Sequence, residues 1–149
     1  MTEHAIGHDE LCSLIPHSYD MCLLDHVESW NKDNIVCFSQ SHYLQTNPLR
    51  RDESLSSVHL IEYAAQAMAV HGGLQDREQG KKMTEGYLAA LRDVNINLCR
   101  LDKIQSELKI EATKIFSQGG NMIYSFKVFS AELELASGRA TVVAISHNE

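Results

Sequence analysis

Long apolar runs are missing from this chain: none approaches the roughly 18 residues of a membrane-crossing helix, so no membrane span is expected. Positive charge is also scarce. Against 20 acidic residues stand 13 basic ones, and the net charge of −7 excludes the basic stripe of a nucleic-acid footprint. The N-terminal string MTEHAIGHDE has neither the basic nor the apolar part of a secretory leader, so a cytoplasmic protein is expected. The four cysteines, Cys12, Cys22, Cys37 and Cys99, show no C-x-x-C spacing and read as buried free thiols. Neither H-E-x-x-H, a Gly-rich phosphate loop nor a dinucleotide fingerprint occurs, so no metal and no nucleotide or redox cofactor is expected. Nothing resembling a linker divides the chain, and 44% apolar residues suffice for one core over residues 1–149.

What is present is concentrated in residues 58–73, VHLIEYAAQAMAVHGG. A helix turns about 100° per residue, which places His59, Glu62 and Gln66 on one narrow face and Leu60, Ile61, Ala64, Ala67 and Met68 opposite. Glu62 is the single formally charged residue of the stretch, so the helix is read as enclosed rather than superficial. A buried carboxylate needs a partner, a proton, or a cleft filled by water or ligand.

Around this helix the pattern is that of strands. Asp9 is a possible cap of a short first helix stopped by Pro16, and residues 21–30 and 35–43 read as a hairpin about Asn31-Lys32-Asp33-Asn34. A polar loop over 45–57 leads to the helix with Ser56 and Ser57 as caps; Gly72-Gly73 permits its end, and 75–82 reads as a solvated loop. Residues 86–101, 107–116, 121–129 and 133–145 are β-rich, with a hairpin turn at Ser117-Gln118-Gly119-Gly120 and a bulge signalled by Gly138. The layout is α+β: an antiparallel sheet wrapped around one long central helix, its free edges requiring a dimer.

The order of elements resembles the hotdog fold, and the strings resemble the β-hydroxyacyl-ACP dehydratase family. Ile15-Pro16-His17-Ser18-Tyr19-Asp20-Met21-Cys22-Leu23-Leu24-Asp25-His26-Val27 is similar to that family's L-P-H-R-Y-P-F-L-L-V-D-R-V, and Ile61-Glu62-Tyr63-Ala64-Ala65-Gln66 to its I-E-A-M-A-Q. The phrase H-L-I-E-Y-A-A-Q-A-M-A-V-H-G resembles the dehydratase-like proteins of aryl-polyene biosynthesis. The resemblance implies an enoyl-forming lyase, an acyl carrier protein bearing acyl-phosphopantetheine as partner, and a homodimer or a heterodimer with another hotdog dehydratase. It also implies Glu62 as the catalytic carboxylate. Family members carry their histidine in a G-H-F-P loop, where this chain has Thr46-Asn47-Pro48-Leu49-Arg50-Arg51. A hotdog thioesterase and a non-catalytic dehydratase-like subunit are the alternatives.

Dehydration needs a base for the α-proton and an acid for the departing hydroxyl, and a histidine with a carboxylate supplies both near neutral pH. His59, three residues before Glu62, could supply the imidazole. His17 is read as a substrate-binding residue at the pocket entrance, and Gln66 as one that orients carboxylate or thioester. Amides near residues 57–59 could hold the thioester oxygen. His42 and His71 read as surface and core residues respectively, and Arg50, Arg51, Lys81, Lys82 and Arg100 as basic positions for an acidic carrier.

Overall fold

The computed structural model describes residues 5–15, 21–81, 85–98 and 100–145. The expected stop at Pro16, the site residue His17, and Lys82 and Cys99 lie outside the described residues.

A short helix, α1 (His8–Cys12), opens the chain, and its N-cap is Gly7 rather than Asp9, which sits inside the first turn. Strands β1 (His26–Trp30) and β2 (Asn34–Ser39) form the expected hairpin. Asn31 shapes the turn, its Oδ1 accepting from the amides of Asp33 and Asn34 at 2.9 Å each. Both strands are shorter than their apolar patterns predict. Before β1, the backbone around Leu23 leaves the sheet and bonds to side chains instead, with Leu23 N donating to Gln66 and Leu23 O accepting from Ser39 and Ser41 hydroxyls. After β2, residues Ser41–Tyr43 close into a 3-10 turn.

The long helix α2 (Leu60–Glu78) follows a 3-10 turn, Ser57–His59, capped by Ser56 Oγ on Val58 N. It does not end at Gly72-Gly73. Leu74 beyond them is buried, Gln75 bonds Lys32 O and Lys114 Nζ, and Arg77 pairs with Glu10 at 2.8 Å, so the first residues of the predicted loop, 75–78, are helical, while 77–81 are exposed as expected. The stop is Gly80, whose φ of +69° is the left-handed conformation that favours glycine. Its N–H reaches Arg77 O at 3.1 Å and Lys81 N reaches Asp76 O at 2.8 Å, the paired bonds of a Schellman cap.

Four antiparallel strands complete the chain: β3 (Glu85–Ile96), β4 (Leu108–Gln118), β5 (Asn121–Ser130) and β6 (Leu133–Ile145). All six strands form one antiparallel sheet in the order β1-β2-β4-β5-β6-β3. Gly119 and Gly120, with φ of +59° and +87°, make the two-residue turn between β4 and β5. Gly138 serves close packing: a Cβ there would lie 2.9 Å from the Phe126 ring, while the bulge opposite is on β3 between Arg92 and Asn95.

The sheet wraps α2, which lies against β2, β4, β5 and β3. Tyr63, Ala64, Ala67, Val70 and Leu74 meet Ile35, Ile110, Tyr124, Phe126 and Val128 in the core. Each large side chain buried there contributes about 1.5–3 kcal/mol. One edge of the sheet is blunted, because β1 carries a bulge and is bridged by Ile6 at Val27. At the other edge, β3 pairs with β6 on one side and with no strand on the other among the described residues, and Tyr87, Leu88 and Leu91 on it are 51%, 41% and 38% exposed.

The cysteines depart from expectation. Cys12 and Cys22 are joined as a disulfide with Cα atoms 5.7 Å apart. Among the described residues Cys37 alone fits the free-thiol reading: it is fully buried, and burial pushes its thiol far above the usual range.

Candidate active site

On α2, small residues at the third and seventh positions after Glu62, namely Ala65 and Ala69, leave the helix surface hollow. Gly86, Leu88 and Val142 of β3 and β6 form the facing wall. Gly86 keeps that wall low, since a Cβ there would stand 3.1 Å from Val142 Cγ1. The result is a groove of about 240 Å³ lined mainly by apolar groups, with Glu62 and Gln66 on its helical side.

Gln66 is almost fully buried and uses both ends of its amide. Oε1 accepts from Leu23 N at 2.8 Å, and Nε2 donates to Met21 O at 2.6 Å and to Glu62 Oε2 at 3.1 Å. The half-buried carboxylate is thereby held by a side chain that is itself fixed to the backbone. The i, i+4 spacing read from sequence does bring Glu62 and Gln66 together.

His59 ends the 3-10 turn and is half-buried. No hydrogen bond joins it to Glu62 among the described residues, and it is not part of the groove wall. The backbone amides nearby are engaged: Val58 N by Ser56 Oγ, His59 N by Ser56 O and Leu60 N by Ser57 O. These three amides, which the sequence suggested for a thioester oxygen, thus already have partners within the turn.

Two other imidazoles, His71 and His42, are held inside the fold. His71 is fully buried, with Nδ1 2.6 Å from the Tyr124 hydroxyl and Nε2 2.7 Å from Asn31 O. Burial pushes its pKa down to about 4, so it is neutral, donating to Asn31 and accepting from Tyr124. His42, expected at the surface, is instead completely buried, and its Nε2 donates to Ile104 O at 2.9 Å. Burial lowers its pKa as well. The phenol of Tyr63, pushed up to about 12 by burial, ties Ser41 and Asn47 to the helix.

Of the basic positions, Arg50 bonds Leu44 O and Glu53 O, and Arg100 pairs with Asp102 at 2.7 Å, its hydrogen bond holding that carboxyl well below the usual range. Arg51 and Lys81 remain exposed. Arg92 of β3 and Arg139 of β6 stand directly opposite each other, both exposed and in no ion pair among the described residues. Only the register brings them together, and no local pattern announces it.

The structure is similar to that of the dehydratase heterocomplex ApeI:P from Xenorhabdus doucetiae, with a TM-score of 0.83, 20% identity and 91% of each chain covered. A mutant thioesterase from Pseudomonas aeruginosa superposes with a TM-score of 0.63, 9% identity and 92% of each chain covered. A hypothetical thioesterase with coenzyme A from Streptococcus pneumoniae gives 0.58 at 11% identity, over 83% of this chain and 87% of that one. These likenesses establish the hotdog fold. None of the curated protein sequences matches this chain. The sequence profile of the ApeP-like family, described as ApeP dehydratase, matches residues 10–149. Spanning nearly the whole chain, that match means that this protein belongs to the ApeP-like dehydratase family.

Proposed function

We propose that the protein is a β-hydroxyacyl dehydratase subunit of chain extension, of the aryl-polyene or fatty-acid type. Its substrate is a thioester on the phosphopantetheine of an acyl carrier protein. The observation that carries this proposal is the Glu62 carboxylate, oriented by Gln66 in an otherwise largely apolar groove. In the reaction a base takes the α-proton and the electron pair forms the α–β double bond. The β-hydroxyl then departs with an acid's proton as water. Glu62 is assigned one of these proton transfers and His59, three residues before it, the other. His17 is assigned to the entrance of the acyl pocket.

The groove of a single chain holds about 240 Å³, below the roughly 300–1,000 Å³ of a typical ligand pocket. A second hotdog subunit pairing along the open rim of β3 would extend both the sheet and the groove. Membership in a family named for a dehydratase, and a solved relative named a heterocomplex, support a partner of the same fold. For the acidic carrier, the facing guanidinium groups of Arg92 and Arg139 are the assigned contact.

The test is turnover of a β-hydroxyacyl carrier substrate, by this protein alone and mixed with a second hotdog dehydratase. Enoyl absorbance is expected, with a loss of about 10²-fold or more in Glu62→Gln. Free thiol without enoyl product would select a thioesterase. Unchanged turnover in Glu62→Gln, in a mixture that requires this chain, would leave it as a non-catalytic subunit.

A further inference from the structure

Away from the groove, α1 sets His8 and Cys12 one helical turn apart, and His8 Nε2 lies 3.3 Å from Cys12 Sγ. Cys22 is bonded to that same sulfur. One nitrogen and two sulfurs thus converge, all within 4.8 Å of one another. Cys12 is buried, Cys22 half-buried and His8 exposed, which leaves the cluster reachable from solvent on its histidine side. The other imidazole nitrogen of His8 faces a carboxylate, with Nδ1 3.6 Å from Asp9 Oδ1. A carboxylate behind a metal-ligating imidazole fixes the ring when it accepts a hydrogen bond from it, and Asp9 would need to approach by a few tenths of an ångström to do so.

Donor type and the nitrogen–sulfur spacing both suit a soft divalent cation, once reduction lets the two bonded sulfurs part. Zinc takes thiolate at about 2.3 Å and imidazole nitrogen at about 2.0–2.1 Å, so a tetrahedral site needs neighbouring nitrogen and sulfur about 3.5 Å apart. The His8–Cys12 contact of 3.3 Å is already close to that value. We propose that, once the Cys12–Cys22 disulfide is reduced, His8, Cys12 and Cys22 form a binding site for a zinc-class divalent cation, with a fourth position left to water or an external ligand. The redox step balances with a dithiol reductant. Two electrons and two protons pass to the cysteine sulfurs, the S–S bond breaks, and the reductant closes to its own disulfide. Cation binding then releases the two thiol protons as the thiolates coordinate. In a reducing compartment the dithiol is the resident form, and the site is open to metal. The sequence hides it because H-x-x-x-C followed by a cysteine ten residues on contains no short paired-ligand motif.

The experiment uses the full chain, reduced with a dithiol, desalted without oxygen, and titrated with Co(II). One cobalt per chain with thiolate-to-cobalt charge-transfer absorption is expected, displaced by Zn(II), and none for the oxidised protein. Cys12→Ser and Cys22→Ser should each abolish that absorption. Because Cys12 is buried and its variants risk misfolding, the exposed His8→Ala provides the independent measure, with an expected tenfold or greater weakening of cobalt affinity and an unchanged circular dichroism spectrum. The double variant Cys37→Ser/Cys99→Ser should bind as wild type. Reduced wild type without thiolate–cobalt absorption, or absorption that survives both Cys12→Ser and Cys22→Ser but disappears in Cys37→Ser/Cys99→Ser, overturns the proposal.

Discussion

Gln66 donates to the Glu62 carboxylate at 3.1 Å while clamping Met21 O and Leu23 N with the rest of the same amide. One buried side chain therefore aims the carboxylate and also docks the segment before β1 onto α2. Gln66→Leu keeps the volume but leaves a backbone N–H and a C=O without their partner. The expected loss is about 2–4 kcal/mol of stability, seen as a lower urea midpoint. A change under about 0.5 kcal/mol would show that water replaces the clamp.

His71 makes stability depend on pH in a definite direction. Its folded pKa of about 4 lies below the ordinary 6.5, so the unfolded chain takes up the proton first on acidification. The neutral ring's contribution is complete above about 6.5 and is lost as pH falls through about 4, by at most about 3 kcal/mol. Unfolding free energy measured across that window should fall more steeply in wild type than in His71→Gln. Parallel slopes would remove His71 as the source.

Gly138 and Phe126 form a pair that a methyl group should disturb. The added Cβ of Gly138→Ala would meet the ring at 2.9 Å and Val94 Cγ2 at 3.1 Å, at an expected cost of about 1–3 kcal/mol. Trimming the ring with Phe126→Leu should recover part of this loss in a double-mutant cycle. Strictly additive losses would count against the steric explanation.

At the open rim of β3, Leu91→Arg should weaken association without disturbing the chain itself. Sedimentation is the measurement: the wild-type assembly, with itself or with a second hotdog subunit, should dissociate in the variant at equal concentration. An unchanged mass would place the interface elsewhere.

Legibility from sequence followed the range of the signal. The turn at Gly119-Gly120 and the strand over residues 133–145 were readable because paired glycines and period-two alternation are local. Glu62 and Gln66 were readable for the same reason, being one helical turn apart. The end of α2 is not legible locally, since Gly72-Gly73 looks like a stop, whereas Gly73 is buried and the left-handed residue is Gly80. The facing wall of the groove was invisible: Gly86, Leu88 and Val142 reach Glu62 only through strand register, as do Arg92 and Arg139 each other. The bonding of Cys12 to Cys22 likewise depends on tertiary placement, which spacing alone does not reveal.

The outer edge of β3, which no strand pairs among the described residues, also bears on how a cell must make this protein. Newly synthesised molecules lacking a mate offer one another a ready template for illicit strand addition. A mate for that edge, met as the chain is made, would then protect against inclusion bodies, and overproduction of this polypeptide by itself should lower its recoverable yield.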